Sequence, residues 1–415
     1  MPDDLHYRFA HHEEIPEAAR LAAHSFPAPG RTMEWWNDKL HDPVYGGGAE
    51  TLVIGRDARR IAAACQIHPL RQWIAGEAVP TTGVGTVAIS PAHRRSGHAA
   101  KLVAAALRAG RDRGDIGSTL YPFRVSFYHR LGYGLAGEAY QYQVPPAAFP
   151  DCAERHRVEL IDNDAARIEA FELYCRWAAD QTGQLERSPR LWLNTVGDVD
   201  RALFAYRSHR GELEGYALVV YRLDLPPRER FLEVDEIAWT SDTARRGLYG
   251  WLASLGDQWQ QIVVRALPAQ RLGDWLREPR LPPGSAPLWR LWAPSATLMS
   301  GTMFRLLDVR SAFEGRLVGP APTMAVAIEV TDGLFPENCG SWRIALDSGR
   351  AIVERTGALD VSVRMDISTL SRIYIGSLSP STALQAGLIE CDHTELLTVL
   401  DTALALPEPW TFDRF

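Results

Sequence analysis

A chain of 415 residues, 46% apolar and 23% charged, has the material for two or three globular domains with separate cores. Its formal net charge of -7 excludes a general nucleic-acid binder and is compatible with a cationic amine as substrate. The five cysteines, Cys65, Cys152, Cys175, Cys339 and Cys391, lie far apart without a C-x-x-C pair, so no metal site, redox pair or disulfide framework is expected.

The opening Met1-Pro2-Asp3-Asp4 is acidic and lacks an apolar run, so no signal peptide is expected. No run of 18 apolar residues occurs, so no membrane span or membrane partner is expected, and the cytoplasm is the expected location. The first region, residues 1–150, opens with a helical pattern over 14–24 and a turn-rich stretch from Phe26 to Gly30. Strands are predicted over 51–54, 61–68 and 83–89, and the last stops at Ser90-Pro91. A helix over 99–113, a strand over 118–121, a short helix near 126–131 and a strand over 139–144 complete it. The second region, 151–292, predicts helices over 164–182 and 189–196 and strands over 201–206, 215–222 and 231–240. A helix over 244–261 and a strand over 262–266 follow, in an order that echoes the first region as a degenerate duplication. The third region, 293–415, predicts strands over 323–330, 341–345, 351–355 and 361–366 and helices over 368–375 and 393–404. The fold class read from this pattern is α+β, with mixed α/β domains.

The segment Val87-Ala88-Ile89-Ser90-Pro91-Ala92-His93-Arg94-Arg95-Ser96-Gly97-His98-Ala99 carries the chemistry. It is a strand that breaks at a proline, turns through a basic loop and opens a helix. The first turn of a helix offers unpaired N–H groups and the positive end of the macrodipole, which suits a pyrophosphate. Gly97 and Ala99 leave room, and Arg94 and Arg95 add charge. Two solvated arginines at an ordinary helix start would look the same. Downstream lies a second segment, Ser126-Phe127-Tyr128-His129-Arg130-Leu131-Gly132-Tyr133, whose Tyr128 could otherwise be a packing residue on a short helix. Gly83-Val84-Gly85 continues a strand and is rejected as a dinucleotide fingerprint. Phosphate-loop and Gly-x-Ser-x-Gly motifs are absent.

Arg94-x-x-Gly97-x-Ala99 after a strand resembles the pyrophosphate loop of the GCN5-related N-acetyltransferases (GNAT), and Phe127-Tyr128 to Gly132-Tyr133 resembles their second signature. The whole chain resembles the Eis (enhanced intracellular survival) acetyltransferases, which have two tandem GNAT domains and a sterol-carrier-like α+β domain. Glu236-Ile237-Ala238-Trp239 and the stretch from Met303 to Val309 extend that likeness. The resemblance implies acetyl-CoA as acyl donor, bound by Val87, Ala88, Ile89, Arg94, Arg95, Ser96, Gly97, His98 and Ala99. It implies Tyr128 as general acid and the terminal carboxylate of Phe415 as base or base-positioning group. It also implies an amine acceptor, either a small molecule or a peptide, and a homo-oligomer, hexameric in well-known members. Phe26, Trp35 and Trp36 are candidate acceptor-wall residues or merely core. The loop lacks a further basic residue after Arg95, and the second region's Arg245-Arg246-Gly247-Leu248-Tyr249-Gly250 is a worn copy, where no CoA is expected. The competing reading is a non-catalytic lipid carrier acting through the C-terminal domain. A tRNA-dependent aminoacyl transferase is disfavoured by the net charge.

Overall fold

A computed structural model describes residues 5–42, 47–198, 200–222, 225–226, 229–267, 270–280, 293–320, 322–356 and 362–415. Met1 to Asp4, the region limit at Trp292 and the first residue of the strand expected from Val361 lie outside the described residues. The described chain forms two compact units, one of residues 1–136, 302–409 and 413–415, the other of residues 137–301 and 410–412.

The first unit holds a seven-stranded sheet in the spatial order His6–Phe9, Leu52–Arg56, Ile61–Ile74, Glu77–Ile89, Gly117–Leu120, Met303–Leu306 and Gly134–Leu135. Neighbours are antiparallel except Glu77–Ile89 and Gly117–Leu120. Those two parallel strands are joined by the helix His98–Asp112, whose Leu102, Val103, Ala106 and Leu107 form a buried face at helical spacing. Helices Ile15–Ser25 and Met33–His41 pack on each other, and Ile15, Ala18, Ala19 and Ala22 share a core with Leu52, Ile54 and Ile61.

The same unit contains a five-stranded sheet in the order Arg350–Arg355, Gly340–Asp347, Met324–Thr331, Val363–Asp366 and Ile389–Cys391, with helices Ile367–Ile375, Pro380–Gln385 and Glu395–Ala403. Its alternating inward residues, among them Val326, Ile328 and Val330, join one apolar cluster with Phe304 and Leu306 of the first sheet. An apolar cavity of about 30 Å³ remains inside this layer, lined by residues such as Phe313, Ile344 and Leu397.

The second unit holds another seven-stranded sheet. Its order is Val158–Ile161, Arg201–Arg207, Leu213–Tyr221, Leu232–Trp239, Ile262–Ala266, Glu138–Val144 and Thr297–Ser300. Only Leu232–Trp239 and Ile262–Ala266 are parallel, and the helix Asp242–Ala253 connects them. The connectivity matches the first sheet, as expected of a duplication. The strand expected at 139–144 forms as Glu138–Val144, but its partners are Ile262–Ala266 and Thr297–Ser300. The place next to Gly117–Leu120 in the first sheet is taken by Met303–Leu306 instead. Alternation identifies a strand; it does not identify the partner edge.

Candidate active site

Strand Glu77–Ile89 changes partners along its length. Against Ile61–Ile74 its register runs Gln66 to Gly85 and then Ala64 to Ala88, so Thr86 and Val87 bulge opposite Cys65. Thr86 adopts φ 52° there. On its other edge it pairs with Gly117–Leu120 only through Thr81, Thr82 and Gly83. Beyond Gly83 the parallel pairing stops, and the backbone that contains Val87, Ala88 and Ile89 leaves the ladder on that side.

The loop that follows begins with the short 3-10 helix Pro91–His93. Arg95 (φ 62°) and Gly97 (φ 82°) both take left-handed backbone. A β-carbon at Gly97 would meet nothing within 4 Å. The amides of Ala100 and Lys101 both reach the Gly97 carbonyl, at 3.1 and 3.2 Å, so the helical ladder starts there and earlier N–H groups lie outside it. Arg94, Arg95 and Ser96 are exposed, and Arg94 Nε donates to the Ile89 carbonyl at 3.2 Å. His98 departs from the sequence expectation in one respect: its ring is buried, with Nδ1 2.9 Å from the Tyr7 hydroxyl. What His98 can offer an anion is backbone. Ala99 is half-buried on the first turn.

Tyr128 lies on the short helix Val125–His129, 3% exposed, in one cluster with Val84, Val103, Tyr133 and Phe335, against which Val87 also packs. Rings of Phe127, Phe123 and Tyr133 surround it at 4.9, 5.4 and 5.8 Å. Burial pushes its phenol well above the ordinary value, and the neighbouring Cys65 adds to the effect. Its hydroxyl therefore stays protonated and available as a donor. Burial likewise pushes the Cys65 thiol to about 12, which makes it a packing group and no nucleophile.

Phe415 lies beside the same strand. Its ring is 5.7 Å from Tyr121 and 6.0 Å from His68, and the Tyr121 hydroxyl donates to the Asp413 carbonyl at 2.7 Å. A β-carbon on Gly83 would come within 3.0 Å of the Phe415 ring. One on Gly85 would stand 3.0 Å from His68 Nε2 and 3.6 Å from the Phe415 oxygen. Gly83 and Gly85, two apart and hence on one strand face, leave space for the chain end and for the His68 ring. Sequence reasoning noticed these glycines only to reject a nucleotide fingerprint; their period of two was the available signal. His68 and Tyr121 carried no sequence signal at all. In the second unit, the Trp410 amide donates to the Thr182 carbonyl at 2.9 Å and Phe412 stacks on Trp177 at 5.6 Å.

The aromatic candidates form a trio, with Phe26 at 5.7 Å and Trp35 at 5.0 Å from Trp36. Trp36 is 3% exposed and packs with Leu40 and the alanines of Ile15–Ser25, as in the core alternative of its reading. Phe26 is half-buried against that core. Trp35 is exposed, but Lys39 Nζ at 5.4 Å and the Arg31 guanidinium at 5.4 Å already lie over its ring. Burial, then Arg31, lowers the Lys39 ammonium below its ordinary value.

In the second unit, strand Leu232–Trp239 pairs in parallel through Leu232, Glu233 and Val234 only, a matching geometry. Its helix, however, is closed at the start: Ser241 accepts the Ala244 amide, Asp242 occupies the first turn, and Arg245 is paired to Asp242 at 2.9 Å and stacked on Trp275. A side-chain cap and an acid where a pyrophosphate would sit make this a poor anion cradle. Among the described residues no group of three or more His, Cys, Asp or Glu side chains could hold a metal, and no helix is long and apolar enough to cross a membrane.

Residues 6–136 and residues 183–306 each match an Acetyltransferase (GNAT) domain, and residues 309–412 match the Sterol carrier protein domain. The chain is 28% identical to the N-acetyltransferase Eis of Mycobacterium tuberculosis over 352 residues, 82% of either chain. It is 25% identical to an uncharacterized N-acetyltransferase of Streptomyces avermitilis over 364 residues, again 82% of each. The crystal structure of a GCN5-related N-acetyltransferase from Anabaena variabilis shares the fold, with a TM-score of 0.85 at 21% identity over 99% of this chain and 100% of that one.

Proposed function

Since the chain belongs to the Eis-like N-acetyltransferases and is an acetyl-CoA-dependent enzyme, we propose that its first GNAT domain acetylates a primary amine using Tyr128 and the Phe415 carboxylate. The observation that carries this reading is the parting of Glu77–Ile89 from Gly117–Leu120 after Gly83, next to the helix start at Gly97. The residues present fit a pyrophosphate thioester: left-handed Gly97 opens a helix above unladdered amides, Arg95 and Ser96 are exposed, and a bulged strand lies alongside.

Acetyl-CoA supplies the acetyl group and a thiol leaving group. The remaining work falls to the chain. Arg94, Arg95, Ser96 and the backbone of Gly97, His98 and Ala99 hold the pyrophosphate. Backbone amides within Val87, Ala88 and Ile89 polarise the thioester carbonyl. The Phe415 carboxylate takes a proton from the amine, directly or through water, as the N–C bond forms. Tyr128 gives a proton to sulfur as the C–S bond breaks, so a neutral amine loses one proton and the thiolate gains one.

The proposed acceptor is an aminoglycoside, a polyamine or a lysine-type amine. By resemblance the chain acts as a homo-oligomer, a hexamer, in the cytoplasm. The carrier reading would gain from an apolar tunnel in the C-terminal domain; the cavity present there, about 30 Å³, has room for little more than one small group.

The test is a C-terminal extension. A tag after Phe415 replaces the carboxylate by an amide and should abolish most of kcat/KM at an unchanged melting temperature, whereas an N-terminal tag should not. Full activity of the extended chain would show that another group takes the amine proton.

A further inference from the structure

Tyr128 has to hold its hydroxyl at one place, yet it stands on a helix of five residues, Val125–His129, too short to be rigid alone. The stabilising contacts come from the C-terminal part of the same unit. The Tyr128 carbonyl receives the amides of Leu131 and Tyr133, at 2.9 and 3.2 Å, so the turn after the helix is tied to Tyr128 itself. Three side chains then grip that turn. Arg305 Nη1 donates to the Leu131 carbonyl, Ser368 Oγ to the Tyr133 carbonyl at 3.0 Å, and Ser377 Oγ to the Leu135 carbonyl at 2.8 Å.

Arg305 is fully buried, and its Nη2 donates to both carboxylate oxygens of Asp332, at 2.8 and 2.7 Å. Asp332 also accepts the amides of Leu334 and Phe335 and the side chain of Asn338. Burial alone would raise its carboxyl, and the Arg305 charge with these bonds outweighs that, holding it below the usual carboxylate range. The turn built on Asp332 places Phe335, 4% exposed, in the cluster that contains Tyr128. Gly132 has no room for a side chain: a β-carbon there would collide with the Arg305 guanidinium and with Ile367.

We propose that Arg305 and Asp332 are positioning residues for Tyr128, so that the sterol-carrier-like domain, through Asp332 and its hold on Arg305 of the first sheet, serves the acetyl transfer as the support of the acid. The inference rests on the reading of Tyr128 as that acid. A buried ion pair made to carry only fold stability would be indifferent to what Tyr128 does; a positioning pair is coupled to it.

The experiment is a double-mutant cycle on the full chain. Arg305→Met with Asp332→Leu removes both charges together and avoids stranding one of them. It should lower kcat about tenfold, a part of the roughly 10²–10⁴-fold worth of a general acid, with the acetyl-CoA Kd within about twofold. In a Tyr128→Phe background the same pair should cost less than about twofold. Arg305→Lys, which keeps the charge but loses the planar span from the Leu131 carbonyl to Asp332, should fall between. A fluorotyrosine resonance assigned to position 128 should shift or broaden in the charge-free pair. Equal fractional loss in both backgrounds overturns the proposal, as does an unmoved resonance. If Tyr128→Phe alone keeps full kcat, the acid assignment has failed, and the resonance alone then decides the positioning claim. Should the double variant not fold, Ser368→Ala, which removes one neutral donor to the turn, runs the same cycle with the same criteria.

Discussion

Gly97 separates the cost of the fold from the cost of binding, and two substitutions there give different answers. At φ 82° with nothing within 4 Å of a built β-carbon, Gly97→Ala meets no clash and suffers only left-handed strain. That strain is roughly 1–2 kcal/mol, which would lower the melting temperature by about 2–8 °C. Gly97→Glu adds the same strain and brings a carboxylate to the mouth of the proposed cradle. Unit charges 4 Å apart repel by about 1 kcal/mol in water and about 4 kcal/mol at an effective dielectric constant of 20. The expected weakening of acetyl-CoA binding is therefore roughly fivefold to a thousandfold beyond that of the alanine variant. Calorimetry on both variants, with melting curves as control, reads the difference. The native chain should show one site. Matched affinities for the alanine and glutamate variants, or two sites per chain, would refute the reasoning.

Tyr128→Phe should lower kcat by about 10²–10⁴-fold while leaving the acetyl-CoA Kd nearly unchanged; an unchanged kcat would assign the proton to water. Because burial raises the Tyr128 phenol above its ordinary value of 10.0, kcat should show no falling limb from this group below about pH 10. A limb near pH 8–9 that disappears in Tyr128→Phe would contradict the burial argument. Glu14 sits at about 2 against an ordinary 4.5, through the Arg8 hydrogen bond first, opposed by burial and helped by the His11 amide and the charges of Arg8 and Arg56. A depressed carboxylate stabilises fully above its unfolded value and loses that contribution as pH falls through its folded value. The gap in melting temperature between the native chain and Glu14→Gln should therefore be largest above about pH 4.5 and close toward pH 2; a gap independent of pH would dismiss the ion pair.

The parts of the fold that depend on local pattern were legible in the sequence. The helix Pro189–Val196 and the strand Ile262–Ala266 match their predicted limits, because Ser188 with Pro189 marks one start and an uninterrupted β-branched run marks the other. The cradle was legible for the same reason, since proline, arginines and glycine at fixed spacing are a local signal. What depends on distant partners was not. Met303–Leu306 reads as an ordinary apolar stretch until its pairing with Gly117–Leu120 is known. Arg305 looks like a solvated charge inside it, and only the position of Asp332 turns it into a buried anchor. Trp36 was open between wall and core in the sequence, because only the alanine face packed against it places its ring in the core.

The two GNAT copies act as a natural control for the site. Each has one parallel strand pair that runs for only three residues and then parts, so connectivity alone does not make a cofactor site. The first copy leaves its parted strand chemically quiet, with Gly85, Val87, Ala88 and Ile89 on it and a glycine opening the helix. The second puts the carboxylates Asp235 and Glu236 on the corresponding stretch and Glu233 just before it, each buried and matched by arginine: Arg265 at 2.5 Å to Glu233, Arg201 at 3.1 Å to Asp235, Arg187 at 2.6 Å to Glu236. Such pairs are poor evidence of added stability, since desolvation consumes much of their attraction. They do change what the strand can accept. A pyrophosphate thioester would meet a row of closed ion pairs and, at Asp242, an acid in the first turn of the helix. The expectation that the second copy binds no CoA therefore rests on the groups placed along one strand and one helix turn, since the strand connectivity is the same in both copies. The same unit also holds Trp410 at Thr182 and Phe412 on Trp177 of the helix Asp164–Ala179, five and three residues before the proposed base, so this copy has a use that asks for no cofactor.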